Sequence, residues 1–190
     1  RETGDARKMK TMFARITCLS LIIAASSVVS IAFASDSGYV ATGAKAKNFK
    51  LNDQHMQLVE LDKLRGSTVV IIYTGRNGFD DAAEIIKKLD KKHSGREDGK
   101  KAGKDIRIVG AANLKGVPVF VKKMVKNRMK EPRYPSFLMD WKGEIAATYG
   151  YDEKGIAAFV VDGKGIVRFS GNIKNADDDI SKVSAVIDLI

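Results

Sequence analysis

The chain has 190 residues, of which 44% are hydrophobic, and a formal net charge of +10 at pH 7. This length and apolar content suffice for one packed domain of ordinary size and leave no room for a second. The single cysteine excludes a disulfide within the chain.

The N-terminal region has the pattern of a secretory leader. An apolar stretch from Ile16 to Ala34 follows a basic segment and ends in Ala32-Phe33-Ala34, a small-x-small motif of the kind that signal peptidase cleaves. We therefore predict a signal peptide within residues 1–34, from Met9 to Ala34, and a mature chain that begins near Ser35. The alternative is an uncleaved anchor, because the stretch is about long enough to span a bilayer.

The only cysteine, Cys18, lies inside this leader and leaves with it. Arg15-Ile16-Thr17 precede it, which is not the small-residue context of a lipid-attachment cysteine. The predicted location is therefore periplasmic or secreted, with no membrane span after the leader is cleaved. The sequence contains no nucleic-acid-binding module, so DNA and RNA are not expected partners.

The first predicted elements surround a buried strand. Residues 35–47 mix Gly, Ala, Ser and Lys with little periodicity, and they predict a flexible arm before a domain over 48–190. Phe49–Asn52 and Val59–Leu64 predict a short edge hairpin. Thr68–Tyr73 is a continuous apolar, β-branched run, which predicts the central strand of a sheet.

A glycine-containing turn, Thr74–Gly78, follows this strand and leads into a predicted amphipathic helix. The apolar positions of the helix recur at i, i+3, i+4 and i+7: Ala82, Ile85, Ile86 and Leu89. Asp81 and Glu84 have the spacing of a capping box at its start. The basic run Lys87–Lys104 then predicts a solvated helix end and loop, with contact to an anionic surface or acidic partner as the alternative.

The second half of the chain continues the alternation of strands and helices. Ile106–Ala112 predicts a second inner strand, and Pro135–Asp140 a shorter one. Gly143–Tyr149 predicts a short helix. An amphipathic helix between the two strands is predicted from Val117, Phe120, Val121, Met124 and Val125. A hairpin follows, with its turn at Asp162-Gly163-Lys164-Gly165. The last predicted element is a helix with three acidic residues in its first turn, Asp177, Asp178 and Asp179. Its apolar stripe consists of Ile180, Val183, Val186, Ile187 and Ile190.

Two blocks of this sequence resemble a known superfamily. Phe137–Gly150 is similar to an apolar strand, an Asp-x-x-Gly turn and a helix ending in Tyr-Gly, and Phe159–Val167 to a Phe-apolar-apolar-Asp-x-x-Gly hairpin. Both are typical of the redoxin branch of the thioredoxin-like superfamily, which includes peroxiredoxins and exported thiol-disulfide oxidoreductases. The resemblance covers Phe49–Ile190 and implies an α/β thioredoxin-like fold, with a central mixed sheet flanked by helices.

The resemblance also locates a degenerate site. Members carry Cys-Pro-x-Cys at a helix start, and here Gly78 stands where the attacking cysteine would be, Phe79 where the proline would be and Asp81 where the resolving cysteine would be. The position of the family's cis-proline falls at Ile156, where a cis peptide bond would cost about 3 kcal/mol, so we expect a trans bond. Glycine offers no nucleophile, so the resemblance implies a site without thiol chemistry.

Few other residues suggest a ligand. Arg76 and Asn77, in the glycine-containing turn, are candidates for an anion or partner contact, with an ordinary turn as the alternative. His55 and His93 have no further ligand residues around them in the pattern of a metal site, so neither a metal nor a cofactor is expected. Met124 and Met129 are expected to fill the core.

These observations favour an exported, cysteine-less thioredoxin-like protein that acts by binding. The expected partner is a protein of a redox or envelope system in the periplasm or envelope. One alternative is a peroxidase or thiol-disulfide oxidoreductase that relies on a partner's cysteine. Another is a structural envelope protein.

Overall fold

The computed structural model describes residues 38–93, 105–152, 155–173 and 176–190. The predicted leader, Cys18, the cleavage position near Ser35 and the loop part of the basic run lie outside these residues. The elements in chain order are β1 (Lys50–Asn52), β2 (Leu58–Glu60), a 3₁₀ turn (Leu61–Leu64), β3 (Thr68–Thr74), α1 (Phe79–His93), β4 (Ile106–Asn113), α2 (Val119–Met129), β5 (Phe137–Asp140), α3 (Glu144–Tyr149), β6 (Ile156–Val161), β7 (Val167–Ile173) and α4 (Ala176–Leu189).

The main sheet has five strands in the order β5-β4-β3-β6-β7. Strand β4 lies parallel to β3 and to β5, whereas β6 is antiparallel to β3 and to β7. Strand β3 is the central strand, as predicted, and all seven of its residues are buried. The sheet is therefore mixed and flanked by helices, which confirms the predicted α/β class.

The alternating side chains of β3 divide the core into two layers. Val70 and Ile72 pack with the buried faces of α1 and α4 on one side of the sheet. Val69, Ile71 and Tyr73 pack on the other side with Leu61 and with Tyr149 of α3. A strand that is apolar at every position is required because both of its faces are covered.

Both edges of the main sheet are covered by segments that precede β3. At the β7 edge, the amide of Val167 donates to Ala44 O at 2.9 Å and the amide of Gly43 donates to Val167 O at 2.8 Å. At the β5 edge, Asp53 forms a bridge with Leu138. These contacts cover part of each edge and leave less backbone free for pairing with another chain.

The flexible arm predicted over 35–47 is therefore corrected for its described part, residues 38–47. This segment pairs with β7 through backbone hydrogen bonds. Because such bonds depend little on side-chain identity, the low hydrophobic periodicity of the segment gave no sign of the pairing. Ala46 is buried, and Tyr39 Oη donates to Asn172 Oδ1 at 2.7 Å.

Helix α2 also differs from the prediction. The prediction placed Phe120 and Met124 on a buried stripe, but both side chains are exposed, and Met129 is the buried methionine. Val117 and Val125 are partly buried against the core, and Lys122 and Lys126 lie beside Trp141 and Met56. Long lysine stems cover apolar surface where the prediction expected apolar side chains.

The ends of two helices depart slightly from the sequence pattern. Helix α1 begins at Phe79, so Asp81 lies within the first turn and is not the cap of a capping box. The carbonyl of Gly78 accepts the amide of Ala82 at 2.9 Å, which is the first bond of the helix. Helix α4 ends at Leu189, which leaves Ile190 outside the predicted apolar stripe and 37% exposed.

Candidate functional site

The turn between β3 and α1 is where the superfamily carries its redox site. The amide of Gly78 donates to Gly75 O at 3.3 Å, which closes the turn before α1. Arg76 and Asn77 are exposed at its tip. No described contact joins these two side chains to a ligand or to each other, and their role as an anion or partner contact stays a prediction.

Gly78 and Ile156 lie against each other. Ile156 begins β6 beside Thr74 in the register of β3 and β6. A Cβ atom placed on Gly78 would lie 3.5 Å from Cγ1 of Ile156. The described peptide bonds are all trans, including the one before Ile156. The fold thus brings together two of the three degenerate positions, while Asp81 is exposed one turn into α1.

The same space contains the side chain of Thr74. A Cβ atom at position 78 would collide with Thr74 Oγ1, a buried hydroxyl that donates to Gly75 O at 3.3 Å. Among the described residues, no histidine or carboxylate forms a hydrogen bond with this hydroxyl. The arrangement therefore favours a closed, packed turn.

A buried tyrosine–carboxylate pair lies next to the turn between β3 and α1. Tyr73 Oη donates to Asp140 Oδ2 at 2.8 Å, and Asp140 also accepts the amides of Glu144 and Ile145 at 2.8 and 2.9 Å. Burial first, and then the charge of Asp140, raises the pKa of Tyr73 well above its usual range. Tyr73 therefore stays protonated and donates, which ties β3 to the start of α3.

Tyr151 holds the backbone on the Ile156 side. Its hydroxyl donates to Gly155 O at 2.7 Å, and its ring packs edge-on against Tyr73 at 4.9 Å between centroids. A Cβ atom on Gly75 would lie 3.3 Å from the same hydroxyl. These contacts join the two chain segments beside the degenerate site, which carries no thiol.

Asp80, the second residue of α1, has specific partners. Its Oδ1 accepts the hydroxyl of Tyr134 at 2.7 Å and lies 3.6 Å from Arg133 Nη1. Arg128 of α2 also forms a hydrogen bond with Tyr134 that raises the pKa of this arginine. The C-terminal part of α2 is thereby linked to the start of α1.

The outward surface of α2 is a feature that the sequence pattern missed. Val119, Phe120 and Met124 are 80%, 84% and 70% exposed. A cavity of about 630 Å³ opens on this surface, lined by Phe120, Lys123, Met124, Asn127, Arg128 and Glu131. The helix has four basic residues and no acidic one. We call this surface, from Val119 to Arg128, the α2 face.

The described part of the chain contains neither a metal-ligand cluster nor a membrane-spanning helix. Within it, no three His, Cys, Asp or Glu side chains come close enough to hold a metal ion. His55 is exposed, and His93 is buried with Nε2 3.0 Å from Ser184 Oγ. Among the described helices, none combines the length and apolar character that crossing a bilayer requires.

Solved structures with this fold belong to the thioredoxin-like superfamily. A Chlorobium tepidum protein named as the thiol:disulfide interchange protein DsbE matches at 18% identity and a TM-score of 0.58, over 78% of this chain and 96% of its own. The exposed lipoprotein thioredoxin Etrx1 of Streptococcus pneumoniae matches at 15% identity and 0.56, over 73% and 99%. The mitochondrial 2-Cys peroxiredoxin of Plasmodium falciparum matches at 16% identity and 0.52, over 77% and 94%.

These likenesses establish a thioredoxin-like fold, and the one cysteine of the chain cannot supply the active-site pair of that superfamily. No curated protein matches the chain. A family model does match, over residues 49–190, which is most of the chain. The chain therefore belongs to the family described as "Bacterial protein of unknown function (YtfJ_HI0045)".

Proposed function

We propose that this protein is an exported, non-catalytic binding protein that docks an acidic protein partner of a redox or envelope system on the α2 face. The observation that carries the proposal is the exposure of Val119, Phe120 and Met124, three large apolar side chains on one short helix. Apolar side chains grouped on a protein surface mark interaction sites. Aromatic and methionine side chains are also enriched at protein interfaces.

Charge defines the class of partner. Lys123 and Arg128 flank the apolar side chains, and the helix has no acidic residue to neutralise them. A complementary partner therefore presents Asp or Glu around an apolar centre. The only carboxylate at the cavity, Glu131, lies 2.9 Å from Arg133, so it does not compete for Lys123.

The lining of the α2 face favours a protein over a lipid surface. Asn127, Arg128 and Glu131 lie beside Phe120 and Met124 around a shallow, open depression. Protein interfaces combine apolar and polar groups in this way.

The position of the face supports a partner from a redox or envelope system. Tyr134 connects Arg128 of the α2 face to Asp80 at the start of α1, beside the turn where the superfamily carries its redox site. The Streptococcus pneumoniae neighbour is titled an exposed lipoprotein. The basic segment, apolar stretch and Ala32-Phe33-Ala34 of this chain are the sequence support for export.

The docking test compares two double variants. Phe120→Ser/Met124→Ser removes the apolar centre of the α2 face, and Leu58→Ser/Leu189→Ser removes two other exposed apolar side chains, 51% and 64% exposed. Each tagged protein is used for affinity capture from envelope extract, and each captured protein is then purified and titrated against the parent by calorimetry. We expect one acidic protein whose binding weakens at least about tenfold, or 1.4 kcal/mol, in the α2 variant and is unchanged in the control.

Three results would overturn the docking proposal. One is an identical capture set for the two double variants. Another is self-association of the parent in sedimentation that only the α2 variant abolishes, since the occupant would then be a second copy. The third is vesicle binding that depends on Phe120 and Met124, since the occupant would then be lipid.

Export has its own test. N-terminal sequencing of the protein extracted from cells is expected to begin at or near Ser35. A protein that begins at Met9 or earlier would favour the anchor and contradict cleavage.

A further inference from the structure

A second charged cavity lies at the other end of the sheet from the degenerate site. Strands β3 and β6 are antiparallel, with Thr74 beside Ile156 at one end and Val69 beside Val161 at the other. The cavity, of about 550 Å³, lies near the second end. Besides Ala46, its lining is Lys45, Lys47, Asn48, Asp62, Arg65 and Lys164. We call it the basic cavity.

Each of the three lysines of the basic cavity has a backbone contact with another part of the chain or with a neighbouring side chain. Lys45 forms a bridge with Ile166 of the β6–β7 turn, next to Lys164. Tyr149 Oη donates to the carbonyl of Lys47 at 2.8 Å. The amide of Lys164 donates to Asp162 Oδ1 at 2.9 Å. The three ammonium groups therefore start from ordered backbone, which lowers the entropy lost when they converge on a ligand.

Arg65 lines the cavity and is paired with Asp62. Its Nε and Nη2 donate to Asp62 Oδ1 at 3.1 and 2.7 Å. Its Nη1 is buried and has no hydrogen-bond partner among the described residues. Gly165, at φ +81°, leaves room for this nitrogen, because a Cβ atom there would collide with it. The guanidinium is therefore partly buried, with one edge on Asp62 and Nη1 packed on Gly165.

The charges of the cavity do not balance. Four cations line it against the single carboxylate of Asp62, which Arg65 already occupies. Among the described residues, Lys45, Lys47 and Lys164 have no carboxylate oxygen within 4.0 Å. Like charges confined around one cavity repel each other, and a bound anion relieves that repulsion.

We infer that the basic cavity is a binding site for an oxyanion of the phosphate class, either free or as the phosphate monoester of a larger molecule. Lysine ammonium groups bind phosphate as point charges, and the guanidinium of Arg65 adds a further positive charge beside them. Asn48 provides a neutral polar side chain at the rim. The basic cavity and the α2 face have no lining residue in common, so the two sites are independent.

The binding test uses inorganic phosphate as the probe. The full chain as purified from cells is titrated by calorimetry in chloride buffer at constant ionic strength. We expect saturable one-to-one binding of phosphate that chloride does not reproduce. Lys47→Gln/Lys164→Gln should weaken it at least about tenfold, whereas Lys115→Gln/Lys130→Gln, which removes two exposed lysines elsewhere, should leave it unchanged. Circular dichroism confirms that both variants are folded.

Two further arms identify the source of the phosphate group. Cosedimentation with phosphatidylcholine vesicles that contain phosphatidic acid, lost in Lys47→Gln/Lys164→Gln, would assign a lipid headgroup. Competition by soluble glycerol phosphate, without vesicle binding, would assign a soluble monoester. Phosphate binding no tighter than chloride binding, or parent-like affinity in Lys47→Gln/Lys164→Gln, would overturn the inference. Neither result would affect the docking proposal, since Phe120→Ser/Met124→Ser leaves the basic cavity intact.

Discussion

The hydroxyl of Thr74 lies in the space that a side chain at position 78 would need. Thr74 is fully buried at the end of the central strand, and its neighbour across the sheet, Ile156, closes the same space from the other side. Glycine at position 78 is therefore a packing requirement of this chain, in addition to being the loss of a nucleophile.

The first prediction tests that packing. Gly78→Ala should cost about 1–3 kcal/mol of unfolding free energy, because the new methyl group overlaps Thr74 Oγ1 in a closed space. In Gly78→Ala/Thr74→Ala the overlap is absent, so the double variant should lose less than the sum of the two single variants, with a coupling of about 0.5–3 kcal/mol. Urea unfolding of all four proteins measures the cycle.

Gly171→Ala is the matched control for this cycle. Gly171 is buried in β7, but a Cβ atom there meets only Phe169 Cζ at 3.8 Å, an ordinary contact. Its substitution should change stability by under about 0.5 kcal/mol. Strict additivity of Gly78→Ala and Thr74→Ala would show that the two side chains do not compete for space.

The second prediction concerns thiol chemistry. The protein purified from cells should neither reduce insulin disulfides nor consume peroxide above a buffer blank, because residues 35–190 contain no thiol. Gly78→Cys/Asp81→Cys restores the two thiols at the start of α1 but leaves Thr74 in the way. We expect insulin reduction to increase further when Thr74→Ala is added. Thiol-dependent turnover by the parent protein would contradict the prediction.

The sequence was sufficient to predict the sheet, because its strands are continuous apolar runs and its hairpin carries a recognisable turn. Thr68–Tyr73 could only be buried on both faces, and the structure makes it the centre of the sheet. The facing of Gly78 and Ile156 also followed from the superfamily's order of elements. These features depend on patterns that are local in the chain.

The features that could not be predicted depend on contacts between distant segments. Residues 43–46 pair with β7 through backbone groups, so no side-chain pattern in the sequence predicts this pairing. The spacing of Phe120 and Met124 fits a buried helix face, and only the packing of Lys122 against Trp141 turns that face outward. Arg65 and Gly165 are 100 positions apart in the sequence, so their contact has no local signal either.

The third prediction separates the two aspartates at the start of α1. Asp80→Ala should cost about 1–2 kcal/mol, because the buried ring of Tyr134 loses its 2.7 Å partner. Asp81→Ala, which removes only a charge from the first turn of the helix, should cost about 0.3–1 kcal/mol. This reverses the expectation from the sequence, in which Asp81 was the cap. Denaturant midpoints measure both changes, and Arg76→Ala serves as the control for an exposed charge in the turn.

Tyr134→Phe tests the cause of the Asp80 effect. If the hydrogen bond is responsible, Asp80→Ala should cost much less in a Tyr134→Phe background than in the parent. Equal costs in the two backgrounds would assign the effect to the helix dipole. A larger cost for Asp81→Ala than for Asp80→Ala would support a capping role for Asp81 after all.

The last prediction is that the protein loses stability on mild acidification through His93. This histidine ends α1 and is buried against α4, where Nε2 lies 3.0 Å from Ser184 Oγ. Burial lowers its pKa, Asp188 at 3.8 Å opposes that shift, and Lys92 adds to it. The unfolded chain therefore binds a proton more readily than the folded one, so stability is full above about pH 6.5 and falls as the pH drops below that value towards the lower folded pKa. Urea midpoints between pH 7.5 and pH 5.0 should decrease in the parent, decrease more steeply in Asp188→Asn and stay nearly flat in His93→Gln. His55→Gln, which changes an exposed histidine, should behave as the parent does, and a parent-like pH dependence in His93→Gln would assign the proton to another group.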